Sequence, residues 1–209
     1  MCRLSTTITT LFCLLTLLSS TQHTNAQIGV AVGLNYDSVS DLDFGDFSTS
    51  YDAASGYHAG LFYDFSLGTV GLRIGAFYRD LGDIESTSDV NIEEEIENFD
   101  LTMIDFPVDI RLNLTATPLI HPYVLFGPVF SVPSSGVDFI DENLESLIVT
   151  GNIGIGLAIN IAGISLFPEF RYAIGISRLL KDHIEIGGIE VKTEVQRVNS
   201  TMFRIGVIL

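Results

Sequence analysis

A two-residue alternation over residues 152–161 most constrains what this chain can fold into. Isoleucine or leucine occupies every second position, and glycine, alanine or asparagine occupies the positions between them. Side chains alternate between the two faces of a β-strand, whereas an α-helix repeats every 3.6 residues. The segment therefore predicts a strand with one aliphatic face, although it lies in a stretch apolar enough to suggest a membrane helix.

The residues that follow indicate which face of this strand meets lipid. After a predicted turn at Ala162-Gly163 the alternation resumes over residues 164–175, which predicts a long hairpin. The face opposite the aliphatic one is mostly small and carries Glu169 and Arg171, whereas a soluble sheet would have a solvated face rich in charged residues. Small residues with a few opposite charges suit the interior of a narrow barrel, and a continuous aliphatic face suits lipid.

Five further segments alternate in the same way, and a sixth, residues 119–131, is apolar on both parities and contains Pro122 and Pro128. Short turns and long polar connections separate them. The predicted strands are residues 27–36, 56–66, 69–79, 101–114, 119–131 and 201–209. The long polar connections are residues 37–55, 80–100, 132–146 and 176–200. This order is typical of outer-membrane barrels. The sequence therefore predicts an all-β fold, an eight-stranded antiparallel up-and-down transmembrane β-barrel, with both termini in the periplasm because the first connection is long.

The first 26 residues have the features of a cleaved signal peptide. Arg3 precedes an apolar run over residues 8–18, and Thr24-Asn25-Ala26 provides a small-residue cleavage site. An uncleaved anchor helix is the alternative. We expect residues 27–209 to form one outer-membrane β-barrel domain. Because Cys2 and Cys13 both lie in the signal, the mature domain would have no disulfide, thiolate metal site or cysteine nucleophile.

Charge is divided between the strands and the connections. The formal net charge of −16, with only 10 Lys and Arg, excludes a general nucleic-acid binder. Nine charged residues lie on the small-residue face of the predicted strands, and we expect them to form a charge network in the lumen, which Phe62, Phe77 and Phe167 would help to plug. These residues are Asp64, Arg73, Arg79, Asp105, Asp109, Arg111, Glu169, Arg171 and Arg204. All other acidic residues would lie outside the strands, which would make the long loops strongly anionic.

Three tyrosines are predicted to anchor the barrel at the membrane interface. Tyr36, Tyr57 and Tyr78 fall near the outer ends of strands on the lipid-facing parity, where an aromatic girdle is expected.

The strand motifs resemble a known family. The segments IGVAVGLNYDSV, GYHAGLFYDFSLG, IDFPVDIRLNL, HPYVLFGPVFS, PEFRYAIGIS and FRIGVIL are similar to those of the PorT-like outer-membrane beta-barrel domain family, the small eight-strand barrels of Bacteroidetes-type bacteria. The resemblance covers nearly all of residues 27–209 and implies a barrel in the outer membrane of a Gram-negative bacterium. Family members include a secretion-system component. Barrel-assembly signals often end in an aromatic residue, whereas this chain ends in Leu209.

No motif indicates catalysis or a cofactor. Gly154-x-Gly156 precedes a strand rather than a helix, which argues against a dinucleotide site. The acidic residues 41–46 and 93–95 could attract Ca²⁺ weakly, but residues 41–46 lack the spacing of a helix–loop–helix calcium site. The histidines that would remain after signal removal, His58, His121 and His183, have neither catalytic nor metal-ligand spacing. We therefore expect no enzyme activity, no cofactor and no specific metal site.

Three functions remain open at this point. The favoured one is a non-enzymatic outer-membrane protein that presents acidic extracellular loops in a structural or surface-interaction role. Its partners would be outer-membrane lipid and lipopolysaccharide, together with cationic or divalent-metal-bridged surface molecules, and no nucleic acid. The alternatives are a PorT-like component of protein secretion or envelope biogenesis, and a soluble exported lipocalin-like barrel for a small ligand. The acidic loops should repel one another and remain extended and mobile at low ionic strength.

Overall fold

The computed structural model of the chain describes residues 25–39, 42–43, 48–51, 54–88, 98–114, 119–161, 163–181, 183–186, 189–192 and 196–208. The predicted signal peptide up to Thr24, most of the acidic stretch 41–46 and the run Glu93-Glu94-Glu95 lie outside the described residues. Within the described part of the chain, no α-helix has the length and apolar character needed to cross a bilayer.

Twelve strands and one short helix occupy the described residues. They are β1 (Asn25–Val39), β2 (Leu42–Asp43), β3 (Ser48–Tyr51), β4 (Ala54–Leu67), β5 (Val70–Ser88), β6 (Asn98–Asn113), β7 (Ile120–Ser135), α1 (Asp138–Asn143), β8 (Ile148–Ile161), β9 (Ile164–Gly175), β10 (His183–Ile186), β11 (Ile189–Lys192) and β12 (Val198–Ile208).

Eight of these strands form a closed antiparallel barrel, as the sequence predicts. The order around the barrel is β5-β4-β1-β12-β9-β8-β7-β6, and pairing of β5 with β6 completes the ring. The β4–β5, β6–β7 and β8–β9 connections lie at one end together with Asn25 and Ile208, and we call this the turn end. The other four connections lie at the opposite end, the long-loop end.

The burial pattern assigns the two faces of the wall. On β8, Ile153 and Ile155 are 53% and 61% exposed, whereas Asn152 and Gly154 are buried. The same alternation of exposed apolar and buried small or charged side chains runs through the other barrel strands. The exterior is thus apolar and the interior polar, the reverse of a soluble protein.

Glycines on the inward face make room for aromatic rings. A Cβ atom on Gly156 would lie 2.4 Å from the ring of Tyr123, and a Cβ on Gly29 would lie 2.4 Å from the ring of Phe62. The small-residue parity therefore complements large side chains from neighbouring strands, so that a narrow barrel can close around a filled interior.

Several strands extend further than the polarity of the sequence indicates. β5 continues to Ser88 and β6 begins at Asn98, so much of the predicted loop at residues 80–100 is a paired hairpin. The register shifts between Asp80 and Asp83, where Gly82 has a φ of 78° and its N–H donates to Asp80 Oδ1 at 2.8 Å. Backbone pairing does not require an apolar face, which is why these polar residues continue the ladder.

The segments predicted to be extended loops carry structure of their own. β3 pairs with the distal part of β5, β2 pairs with β3, and β10 pairs with β11 in a separate hairpin. Residues 138–143 form α1 in the β7–β8 connection. The backbone N–H of Lys181, in the β9–β12 connection, donates to the Asn143 carbonyl at 3.0 Å and so joins the two connections. The described parts of these segments therefore carry regular secondary structure, and their mobility at low ionic strength stays a prediction.

An apolar cluster covers the lumen at the long-loop end. It combines inward-facing strand residues with side chains from α1 and the fourth connection, and we call it the apolar cap. Its buried members are Ala54, Leu81, Leu101, Met103, Ile140, Leu144, Ile148, Leu179 and Val198. Burial of this surface provides the free energy that orders α1 over the barrel, since a helix of one to two turns has little stability alone.

Candidate functional site

Among the residues that the structure describes, ten charged side chains are buried in the barrel interior. They are Asp37, Asp64, Arg73, Arg79, Asp105, Asp109, Arg111, Glu169, Arg171 and Arg204. The structure places all nine charged residues named in the sequence analysis inside the lumen, and it adds Asp37 as a fifth carboxylate. Five arginines thus face five carboxylates, and the formal charges of the interior cancel.

Glu169 is the centre of the larger group of charges. It forms an ion pair with Arg73, and it accepts a hydrogen bond from Arg171 Nε at 2.8 Å. Arg204 Nε lies 3.3 Å from Glu169 Oε2, and the Tyr123 hydroxyl donates to Oε1 at 2.6 Å. Three guanidinium groups therefore share one carboxylate.

Two further carboxylates extend this group. Asp64 forms ion pairs with Arg73 and Arg111, and Arg73 Nε donates to Asp64 Oδ2 at 2.9 Å. Asp109 accepts from Arg171 Nη1 at 2.7 Å. We call these four arginines and three carboxylates the Glu169 network.

Strand register brings these partners together. Arg204 lies directly opposite Glu169 in the β12–β9 ladder. Arg73 lies opposite Asp64 across β4–β5 and opposite Asp109 across β5–β6. Opposite charges at directly paired positions of one face are close enough to interact, so the local register itself creates much of the network.

A second group of charges lies nearer the long-loop end. Arg79 Nη1 donates to Asp37 Oδ1 at 2.9 Å, and Arg79 Nε lies 2.8 Å from Asp105 Oδ2. Ser200 and Asn35 also donate to the Asp37 carboxylate. We call these five residues the Asp37 cluster. It adjoins the apolar cap, because Arg79 Nη2 also contacts the sulfur of a cap methionine at 2.9 Å.

The two groups carry opposite imbalances of charge. The Glu169 network has one more arginine than carboxylates, and the Asp37 cluster has one more carboxylate than arginines. Buried charges are tolerated only when they are paired and hydrogen-bonded. Each group therefore stabilises the other across the lumen.

Aromatic rings cover the faces of two arginines. The Arg73 guanidinium carbon lies 4.6 Å and 4.9 Å from the ring centroids of Phe62 and Phe167, and that of Arg204 lies 4.4 Å from Phe77. Phe62 and Phe167 meet edge to face with centroids 6.0 Å apart. Cation–π contacts strengthen when they are shielded from water. These rings fill the space around the Glu169 network. Together with their buried neighbours they form what we call the aromatic cluster. Its members are Ala31, Phe62, Phe77, Tyr123, Leu125, Phe167 and Ile208.

The lumen contains a small cavity between the two charge groups. Its volume open to the centre of a water molecule is about 20 Å³. A space of about 10–15 Å³ by this measure is needed for one water molecule, so the cavity has room for one and falls far short of an aqueous pore.

The three tyrosines predicted to anchor the barrel lie on the outer surface. Tyr36, Tyr57 and Tyr78 are 57%, 51% and 41% exposed. The rings of Tyr57 and Tyr78 are neighbours, with centroids 6.2 Å apart. Their position is compatible with an interfacial girdle, which stays a prediction.

The histidines are not brought together. His58 is buried with Nδ1 3.3 Å from Asn35 Oδ1, His121 is half-buried near the turn end, and His183 is exposed on β10. In the part of the chain that the structure describes, no three His, Cys, Asp or Glu side chains are arranged to hold a metal ion.

Three interior residues do not follow from the sequence prediction. The polarity of residues 37–55 predicts a loop at Asp37, yet Asp37 continues the inward parity of Asn35 on β1, and this two-residue spacing is the signal that identifies it. Tyr123 lies on a strand that is apolar on both faces, so its parity does not indicate an interior position, and Asn152 is predicted only to lie on the small-residue face. Asn152 Nδ2 donates to Asp109 Oδ1 at 2.8 Å, a contact over 43 residues that the sequence does not indicate.

The fold and the filled, charged lumen can be compared with known proteins. The family model for the outer membrane protein beta-barrel domain matches residues 10–207. The chain belongs to this family. An outer membrane protein beta-barrel domain accounts for an apolar exterior around a charged interior, and the family assignment places the chain in the outer membrane.

Two solved structures are similar to this outer membrane barrel in fold. Neisserial surface protein A has 13% sequence identity and a TM-score of 0.53, and the match covers 88% of this chain and 98% of that one. OprG from Pseudomonas aeruginosa has 12% identity and a TM-score of 0.50, with 88% and 95% of the two chains covered. A comparison with curated protein sequences gave no match. At these identities the likeness concerns the fold alone.

Proposed function

We propose that this chain is a non-enzymatic outer-membrane protein whose sealed barrel anchors an acidic surface for contact with other molecules at the cell exterior. The observation that carries the proposal is that the segment around α1 has a buried apolar side and an exposed acidic side. On and beside α1, Ile140 and Leu144 are buried against the barrel, whereas Asp138, Asp141 and Glu142 are exposed at the long-loop end.

The sealed lumen supports an anchoring role rather than transport. The apolar cap, the Asp37 cluster, the Glu169 network and the aromatic cluster all occupy the interior, and the cavity between them has room for about one water molecule. Within the described ranges, no three His, Cys, Asp or Glu side chains are grouped so that they could hold a metal ion. The chemically distinctive part of the protein is therefore the surface that the barrel carries at the long-loop end, rather than its lumen.

The charge of that surface indicates the class of partner. Carboxylates attract cationic groups directly, and they attract lipopolysaccharide phosphates when divalent cations bridge the two. Such contacts would be weak and dependent on ionic strength, because exposed charges are screened over about 8 Å at physiological salt. The long-loop end would face the exterior, with the termini in the periplasm of a Gram-negative bacterium after signal cleavage.

The other candidate functions have less support. A soluble ligand-binding barrel would not expose an aliphatic belt such as that of Ile153 and Ile155. A secretion role, implied by the PorT-like resemblance, has no specific contact or cavity in the described residues to favour it over the surface role.

Binding of a fluorescent oligolysine peptide to the protein in lipid vesicles tests the proposed function. We expect salt-sensitive binding that weakens in the triple variant D138N/D141N/E142Q. The matched control is Lys181→Gln, which removes a positive charge from the same exposed surface and should strengthen binding. Equal binding by all three proteins would show that this surface does not recognise cationic partners.

Labelling of intact cells tests the orientation separately. A membrane-impermeant amine reagent should modify Lys181, which is exposed beside α1 at the long-loop end. Labelling of Lys181 only after the outer membrane is permeabilised would place the long-loop end in the periplasm and contradict the proposed display of the acidic surface.

A further inference from the structure

The cavity in the lumen lies between two groups of opposite excess charge. Arg79 and Asp105 of the Asp37 cluster line one part of it, and Arg171 and Arg204 of the Glu169 network line another. More of its wall is apolar than polar, so an ordered water molecule there depends on the few polar groups that face the cavity and could serve as its hydrogen-bond partners.

Four buried polar atoms of the lining residues form no hydrogen bond among the described residues. Arg79 Nε and Arg204 Nε still lie within ion-pair distance of Asp105 and Glu169. The other two are Arg171 Nη2, which can only donate, and His58 Nε2. Arg171 and His58 are only 2% and 3% exposed. A buried polar atom without a partner costs about 1–3 kcal/mol, so the fold should supply a partner for each.

The hydrogen bonds around Asn35 define the role of His58 Nε2. Asn35 Nδ2 donates to the Asp37 carboxylate and to the Asp80 carbonyl, so Asn35 Oδ1 must face His58. His58 Nδ1 then carries the proton that is donated to Oδ1, at 3.3 Å. In the neutral imidazole, Nε2 is consequently an acceptor.

We propose that the cavity is a water-binding site in which a water molecule donates to His58 Nε2 and accepts from Arg171 Nη2. Water provides a donor and an acceptor in one molecule of the required size. An anion in the cavity would be repelled by the His58 lone pair and the Asp105 carboxylate, and a cation would be repelled by the three arginines of the lining. The ten charges of the lumen already cancel, so no counter-ion is required. The water would join the Asp37 cluster to the Glu169 network.

Two variants of nearly equal shape test the proposal by stability. Ala173 is buried and lines the cavity, so Ala173→Val and Ala173→Thr would occupy the same space. The threonine hydroxyl can replace the hydrogen bonds of the displaced water, whereas the valine methyl cannot. We expect Val to lower the urea midpoint of unfolding in lipid vesicles more than Thr does. A Val variant at least as stable as Thr would show that the cavity is dry and would overturn the proposal.

The water can also be observed directly in the wild-type protein. In solid-state NMR with ¹⁵N-labelled histidine, we expect rapid transfer of water magnetisation to the buried His58 ring, with loss of the signal in Ala173→Val. Absence of this transfer in the wild type would overturn the proposal. Shifts of the His58 ¹⁵N signals during titration with sodium bromide, with no shift in sodium sulfate, would instead identify a halide site and also overturn it.

Discussion

Arg73 on β5 and Glu169 on β9 form a buried ion pair across the barrel interior, although 96 residues separate them in the sequence. Glu169 also contacts Arg171 and Arg204, so one carboxylate balances part of the charge of three guanidinium groups. Removal of the Glu169 carboxylate should therefore destabilise the barrel more than the loss of a single ion pair would.

Glu169→Gln is expected to destabilise the barrel by at least about 3–5 kcal/mol, the cost of leaving a buried charge uncompensated. The free energy of unfolding in urea, measured in lipid vesicles, tests this. Glu142→Gln is the control, because Glu142 is exposed and its substitution should change stability by no more than about 0.5 kcal/mol. Equal effects of the two substitutions would mean that the Glu169 network does not hold the barrel together.

The outer face of β8 offers a test of the lipid-facing surface. Ile155 is 61% exposed, and Ile155→Arg should cost about 2–4 kcal/mol near the bilayer midplane. Ala158→Ser on the inward face should have a mild effect. The yield of folded barrel in vesicles measures both, and comparable losses would contradict the assignment of the two faces.

The lumen should remain closed even without its cap. Replacement of residues 137–145 by a Gly/Ser linker would remove α1, but the Glu169 network and the aromatic cluster would still fill the barrel. Planar-bilayer recordings of the wild type and of this variant should therefore show no large, stable single-channel currents. Steady conductance in the variant alone would identify the apolar cap as the only seal.

The apolar cap should be able to unfold locally while the barrel stays folded. Leu144 is 5% exposed in the apolar cap, and Leu144→Ala should weaken the packing of α1 by about 2–5 kcal/mol. We expect faster proteolysis between residues 132 and 146, with unchanged heat-modifiability on a gel. Leu147→Ala is the control, since Leu147 is 50% exposed. A lowered unfolding midpoint of the whole barrel in Leu144→Ala would show that cap and barrel form one cooperative unit.

The barrel wall could be predicted from the sequence because its signal is local. Each strand carries its own alternation, and the hairpin at residues 152–175 alone separates a lipid face from a lumen face. The positions of Arg73 and Glu169 on the inward parity follow from the same rule. Their pairing could not be assigned in advance, because it depends on which strands meet across the barrel.

The cap and the Asp37 cluster could not be predicted for a physical reason. α1 is too short to have a periodic signature, and its order comes from contacts such as that between residue 144 and residue 180, which pair as a β-bridge. Asp37 lies in a stretch whose polarity resembles a loop. A strand outside the bilayer can remain paired with solvated side chains, so hydropathy does not mark where it ends.

The sequence separation of the partners in the Asp37 cluster has a consequence for folding kinetics. Ser200 donates to Asp37 over 163 residues and accepts from Arg79 over 121 residues. These contacts can form only when the first and last strands of the barrel meet, and folding slows as the contacts become more distant in sequence. Until that moment the interior charges need hydration, because bare charges in lipid are costly. Ring closure and expulsion of most of the water from the lumen should thus be a single late step, and a chain arrested before it would hold a hydrated cleft open to the bilayer.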